Sequence, residues 1–240
     1  MSRFDENPES RTVANSPLQQ SSFVFFPEEG SIRRMIETHP DVFRDTADRA
    51  LNEQDEKNQS DAGFLRARQT ACAGYATELA KDAGQFAGSL PQTLFGTGDG
   101  AAYLLPVGLF FERVEQRKRR WGDILTDLDR FWETDGFDPH RFLFAAEVLR
   151  DPALAGRIRD VAERRDVIRG EAQRLSKEIG DFTETVIDAF FQRAGQAVDL
   201  NGSGAGMRFG TLIKLCGELR HAAESFAKRC RENTANEKAT

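Results

Sequence analysis

Asp123 and Asp127 stand four residues apart, with Asp129 close by, in a stretch whose pattern is helical. At that spacing two carboxylates share one helix face and could hold a divalent cation between them. Chemistry by such a cation needs a second acidic motif on a facing helix, and the nearest is Asp181, Glu184 and Asp188. The competing reading is a plain solvated helix face. Gly96-Thr-Gly98-Asp-Gly100 could offer backbone N–H groups to a phosphate. It lacks the preceding strand and the Gly-Lys-Ser/Thr ending of known phosphate loops, and Asp99 would repel an anion, so it reads as a connector. His39, His140 and His221 lie outside i,i+3 and i,i+4 spacing from any other His or Cys, which leaves zinc without a motif. No Gly-x-Ser-x-Gly elbow occurs. No cofactor and no small-molecule substrate are expected, and Asp123 and Asp127 remain the metal candidates.

A second set of residues points to binding. Leu104, Leu105, Leu109, Phe110 and Phe111 are followed by Arg113 and then by the run Arg117-Lys-Arg-Arg120 before Trp121. Apolar side chains beside cations suit a membrane interface, with grease in lipid and charge at the headgroups. They suit equally a buried helix start whose charged end emerges into solvent. The spacing of Val107, Phe110, Val114, Trp121, Ile124, Leu128 and Phe131 favours the second, because a heptad stripe implies a helical neighbour. Arg117 interrupts that stripe, as Arg165 interrupts another, and a polar residue at such a position sets register or meets an acidic partner. A third candidate is Phe23-Val-Phe-Phe26, which rises abruptly out of a polar tail and reads as a buried anchor or a hook for a partner. The expected partner-binding residues are therefore Phe23, Phe25, Phe26, Leu109, Phe110, Phe111, Arg117, Arg120, Trp121 and Arg165.

These residues need helices to position them. Leu154, Ile158, Val161, Arg165, Ile168, Ala172, Leu175, Ile179, Phe182, Val186 and Ala189 follow an unbroken 4-3 spacing, the signature of a helix whose stripe meets another helix. After Asn201-Gly-Ser-Gly-Ala-Gly206 the spacing restarts at Leu212, Cys216, Leu219, Ala223, Phe226 and Cys230. Two striped helices around a glycine-rich turn predict an antiparallel, coiled-coil-like hairpin. Gly180 followed by Asp181 and Glu184 could start a fresh helix, but the stripe holds its phase, so a kink is expected there instead of a stop. Upstream, the pattern predicts short helices from Ser31 and from Pro40 to about Lys57, a break at Asn58-Gln-Ser-Asp61, and a helix over 62–86. Asp138-Pro139 and Asp151-Pro152 are matching helix starts, an N-cap Asp with Pro in the first helical position.

Bulk composition agrees with a helical interaction protein. The chain has 240 residues, 30% of them charged, and a net charge of -6, which disfavours nucleic acid as a partner. Phe outnumbers Tyr and Trp, 19 against 2 and 2, and a ring without a polar handle belongs in a core or a greasy groove. Three cysteines on predicted helices suit small buried hydrophobes in a reducing compartment. No secretory pattern and no 18-residue apolar run are visible, so a cytoplasmic location is expected, with signal-less export as the alternative. The expected organisation is an all-α helical bundle: a disordered tail over 1–22, a helical layer over 23–150, a long hairpin over 151–232 and a frayed end over 233–240. The expected function is a non-catalytic scaffold, adaptor or assembly subunit. Its partner would be a protein, its own copy or another. A membrane-acting effector using Leu104–Arg120 and an all-α metal-dependent hydrolase or transferase are the alternatives.

Overall fold

Helical periodicity runs through almost every segment, and the chain folds as an all-α protein. The computed structural model describes residues 29–96, 104–133, 137–198 and 209–236. Among these residues there is no strand. The helices are α1 (Glu29–Thr38), α2 (Pro40–Gly96), α3 (Leu104–Leu128), α4 (Pro139–Val148), α5 (Pro152–Phe182), α6 (Ala189–Ala197) and α7 (Phe209–Asn236). A 3-10 turn at Asp129–Trp132 extends α3, and a wide π-helical turn at Thr183–Asp188 joins α5 to α6.

The longest helix is the first correction to the sequence reading. The break expected at Asn58–Asp61 is absent, and α2 runs on from Pro40 for 57 residues, about 85 Å at 1.5 Å per residue. Asn, Ser and Asp usually loosen a helix by bonding the nearby backbone. Here Asn58 is occupied elsewhere. Gln54 Nε2 donates to Asn58 Oδ1 at 2.9 Å, and Asn58 Nδ2 donates to the Val161 carbonyl at 3.0 Å. Both side chains are buried, so the pair pins α2 against α5 at one register. The helix also continues past the expected end at residue 86, through Pro91 to Gly96.

Contacts between the helices fix their directions. Asp48 meets Arg157 and Asp55 meets Arg164, so α2 and α5 run parallel. Asp61 meets Arg130 and Glu78 meets Arg117, so α3 runs antiparallel to α2. Cys72 touches Cys230, while Gly84 lies against Arg220, so α7 is antiparallel to α2 as well. The result is an up-down-up-down four-helix arrangement of α2, α3, α5–α6 and α7. Arg193 of α6 pairs with Glu218 of α7 at 2.7 Å, and Phe182 stacks on Phe226, as an antiparallel hairpin requires. Most of the α7 face nevertheless lies on α2.

Two cores result, each drawing on both halves of the sequence. The larger packs α2, α3, α5–α6 and α7 around Trp121, Phe182 and Phe226. The smaller packs the start of α2 (Ala47, Leu51) with Phe137, Ala146 of α4 and Leu154, Ile158 and Val161 of α5. The two capping signals set the starts of α4 and α5, the second of them at the tight corner between these helices. Asp138 accepts from the His140 N–H at 3.1 Å and Asp151 from the Leu154 N–H at 3.0 Å. Arg150, between these helices, takes the left-handed conformation with φ 53°, and its N–H donates to the Glu147 carbonyl.

Gly180 neither stops nor opens the long helix; the irregularity falls three residues later. A π turn inserts one extra residue, so it moves the buried stripe by one position. Phe182 is followed inward by Ile187, Phe190, Ala194 and Val198. Val186 and Ala189, expected on the stripe, are half-buried at its edge. Threonine hydroxyls bond the carbonyls that the wide turn loosens. Thr183 Oγ1 donates to Ile179 and Gly180, both at 2.9 Å, and Thr185 Oγ1 donates to Asp181 at 2.5 Å.

Candidate functional site

The apolar–basic segment is where the sequence put most of its functional residues, and α3 carries nearly all of it. Its stripe faces inward as spaced: Val107, Phe110, Val114, Trp121, Ile124 and Leu128 are all buried. Two of the expected partner-binding residues, Phe110 and Trp121, are therefore core. Phe110 stacks on Phe86 of α2 with centroids 4.3 Å apart and meets Phe190 edge-on at 6.0 Å. Trp121 meets Phe182 edge-on at 5.2 Å in a second aromatic layer closed by Phe226. Phe111 is half-buried, with its ring edge-on to Phe190 and Phe191 at 5.9 Å each. Leu109 stands in solvent at 47% exposure, as does Leu105 at 70%. Phe23, Phe25 and Phe26 lie outside the described residues, as do residues 97–100 of the glycine-rich connector.

Each cation of the basic run has a carboxylate of the same chain within 4.0 Å. On α2, Glu78 and Asp82 are four residues apart and share a face. On α3, Arg113, Arg117 and Arg120 share the facing side. Arg117 bonds Glu78 and reaches Asp82 at 3.4 Å; Arg113 approaches Asp82 and Arg120 approaches Glu78, both at 4.0 Å. Arg120 also lies over the Tyr75 ring at 5.3 Å. Lys118 pairs with Asp188 of the π turn at 2.5 Å, and Arg119 with Glu115 on its own helix at 3.8 Å. Arg117 and Asp82 are the most sheltered pair, their side chains 18% and 16% exposed. The sequence contains this signal in principle, because Glu78–Asp82 and Arg113–Arg117–Arg120 carry complementary helical spacings. The pairing of α2 with α3 was what the sequence left open.

Arg165 is likewise turned inward. Its guanidinium donates to the Phe137 carbonyl at 3.0 Å and lies 5.5 Å from the Phe137 ring centre. It anchors the turn before α4 to α5, which is a fold role for a residue expected to face a partner.

The acidic pair is not assembled as a cation site. Asp127 is ion-paired with Arg68, its Oδ2 2.8 Å from Nε, and Asp123 is exposed. Of the expected second motif, Asp181 pairs with Lys177 at 2.5 Å and Asp188 with Lys118. Among the described residues no three His, Cys, Asp or Glu side chains converge to hold a metal ion. Among them, too, no helix is long and apolar enough to cross a membrane.

The cysteines are free thiols in the larger core. Cys72 and Cys230 touch across α2 and α7, with sulfurs 3.7 Å apart. The contact with Cys230, reinforced by burial, pushes the Cys72 thiol well above the ordinary range. Burial alone pushes Cys216 from 9.0 up to about 12. Buried in the core, the three thiols pack as small apolar groups.

Below the end of α7, the parallel helices α2 and α5 leave a groove of about 880 Å³ between them. Leu65 and Ile168 form its apolar floor, and Val167 stands on its wall at 55% exposure. Sequence reasoning missed it, because a groove between two helices appears only once their neighbours and ends are known.

Comparison with known protein families, curated proteins and solved structures finds no match to this chain.

Proposed function

We propose that this chain is a non-catalytic helical interaction protein, a scaffold, adaptor or assembly subunit, that binds a protein partner through its helix faces. The observation that carries the reading is a division of labour among side chains. Arg117, Arg120, Lys118 and Asp127 pair with opposite charges on other elements of the same chain, whereas large apolar side chains stand in solvent on the helices: Val42 at 62% exposure, Val167 at 55% and Leu105 at 70%. Scattered exposed apolar residues are ordinary. On rods as long as α2 and α5, though, they offer a partner helix an extended seat. The three free thiols support a reducing, cytoplasmic setting within the same proposal.

The test is molar mass by light scattering over a concentration series. A mass rising above 26.9 kDa, and returning to it in Val42→Asp, supports self-association. Leu105 and Leu109, one turn apart and exposed, favour one rival, a membrane-surface effector. A constant 26.9 kDa, combined with flotation on anionic vesicles that Leu105→Asp and Leu109→Asp abolish, would replace the present reading with that one.

A further inference from the structure

We infer that the groove between α2 and α5 is the docking seat for a cationic amphipathic helix of a partner protein. The inference rests on the reading of the chain as an interaction protein and names the partner's chemistry.

The first argument is continuity with an interface the molecule already uses. Within the larger core, α7 lies on α2 through Cys72, Ala76, Ala80 and Ala83, all buried. Continued toward the start of α2 at the same helical spacing, that face carries Leu65, Ala62 and Asn58, which line the groove. On α5 the face beneath Phe182, which stacks on α7, continues through Leu175 and Ala172 to Ile168. The antiparallel α7 reaches Cys72 at its own Cys230 and ends at Asn236, so it stops where the groove begins. Among the described residues nothing fills the groove, which continues the α7 seat. From Asp55 to Arg66 it is about 17 Å long, three turns of helix.

The second argument is charge. Four carboxylates line the groove, Asp55, Asp160, Glu163 and Glu171, against two guanidiniums, Arg66 and Arg164. The helix already seated on this face has the opposite balance, with five cationic against three acidic side chains over Phe209–Asn236. An occupant that resembles α7 therefore places small and aliphatic residues on Leu65 and Val167, and Lys or Arg along Asp160 and Glu163. Val167, half in solvent on the wall, is the side chain such a helix would cover.

Fluorescence anisotropy on the full chain tests this with two labelled helical peptides of roughly 15 residues, about four turns. Both carry one Leu/Ala stripe; one has Lys and Arg flanks, the other Glu flanks. The expected result is saturable binding of the cationic peptide only. Val167→Asp should weaken it at least tenfold and Glu163→Lys several-fold, with melting temperatures unchanged because both positions are exposed. No binding of the cationic peptide, or binding indifferent to both substitutions, overturns the inference. So does tight, Val167-dependent binding of labelled wild-type chain in place of the peptide, since the occupant would then be a second copy. If the groove fails while Val42→Asp still dissolves a self-assembly, the interaction reading survives and only this seat is lost.

Discussion

The same two helices, α2 and α5, pass through two environments. In the upper region α3 and α7 cover them, and aromatic rings from α2, α3, α5, α6 and α7 meet in layers: Phe86, Phe110 and Phe190, then Trp121, Phe182 and Phe226. In the lower region, among the described residues, α4, Phe137, the short α1 and the 3-10 turn after α3 accompany them. There the register depends on a buried hydrogen-bonded pair, Gln54 with Asn58, and one side stays open as the groove. What separates the two is where α7 ends. A helix pair is finished as core where a third and fourth helix lie on it, and remains available as a surface where they do not.

Substitutions should separate the regions by size of effect. Phe226→Ala removes a fully buried ring that stacks on Phe182 at 4.3 Å, so about 3–5 kcal/mol should be lost in chemical denaturation. A loss under 1 kcal/mol would mean the rings do not form the core of the upper region. The same region should show an alkaline limit. The folded Cys216 thiol titrates near pH 12 instead of 9.0, so its stabilisation is full below pH 9.0 and is lost as pH rises from there through about 12. Unfolding midpoints for the wild type and Cys216→Ala should converge over that window, and parallel curves would contradict the buried thiol. In the lower region, Asn58→Ala strands the buried Gln54 amide and removes the bond to the Val161 carbonyl at a cost of about 1–3 kcal/mol, read by the same denaturation experiment. The smallest effect has the opposite sign. Arg150 is an exposed residue at φ 53°, so Arg150→Gly should raise stability by about 1 kcal/mol. Calorimetry showing a lower midpoint would place a needed contact on that side chain.

Much of the fold was legible because it rests on periodicity and capping. The stripes of α3 and α7 are buried position for position, and Asp138 and Asp151 cap as their Asp-Pro pairs announced. Failures occurred where a residue's usual local habit was overridden from a distance. Asn58 looked like a breaker and is a buried pin, because Val161, over a hundred residues away, takes its amide hydrogen. The π turn was invisible because a 4-3 pattern can be continued on paper through Val186, while the packed face moves to Ile187. The candidate site was less legible. Charges that share a sequence neighbourhood, such as Arg117–Arg120, invite an external partner. Only the pairing of α2 with α3 reveals that Glu78 and Asp82 already face them.

That internal pairing is the claim on which the functional reading turns, and a double-mutant cycle on Arg117 and Asp82 measures it directly. Stability would be determined for Arg117→Ala, Asp82→Ala and the double variant. A sheltered pair in contact should give a coupling of about 1 kcal/mol or more, with each single change costing more than its share of the double. Additivity within about 0.5 kcal/mol would contradict the pairing, and would return the basic face of α3 to solvent for a partner outside the chain.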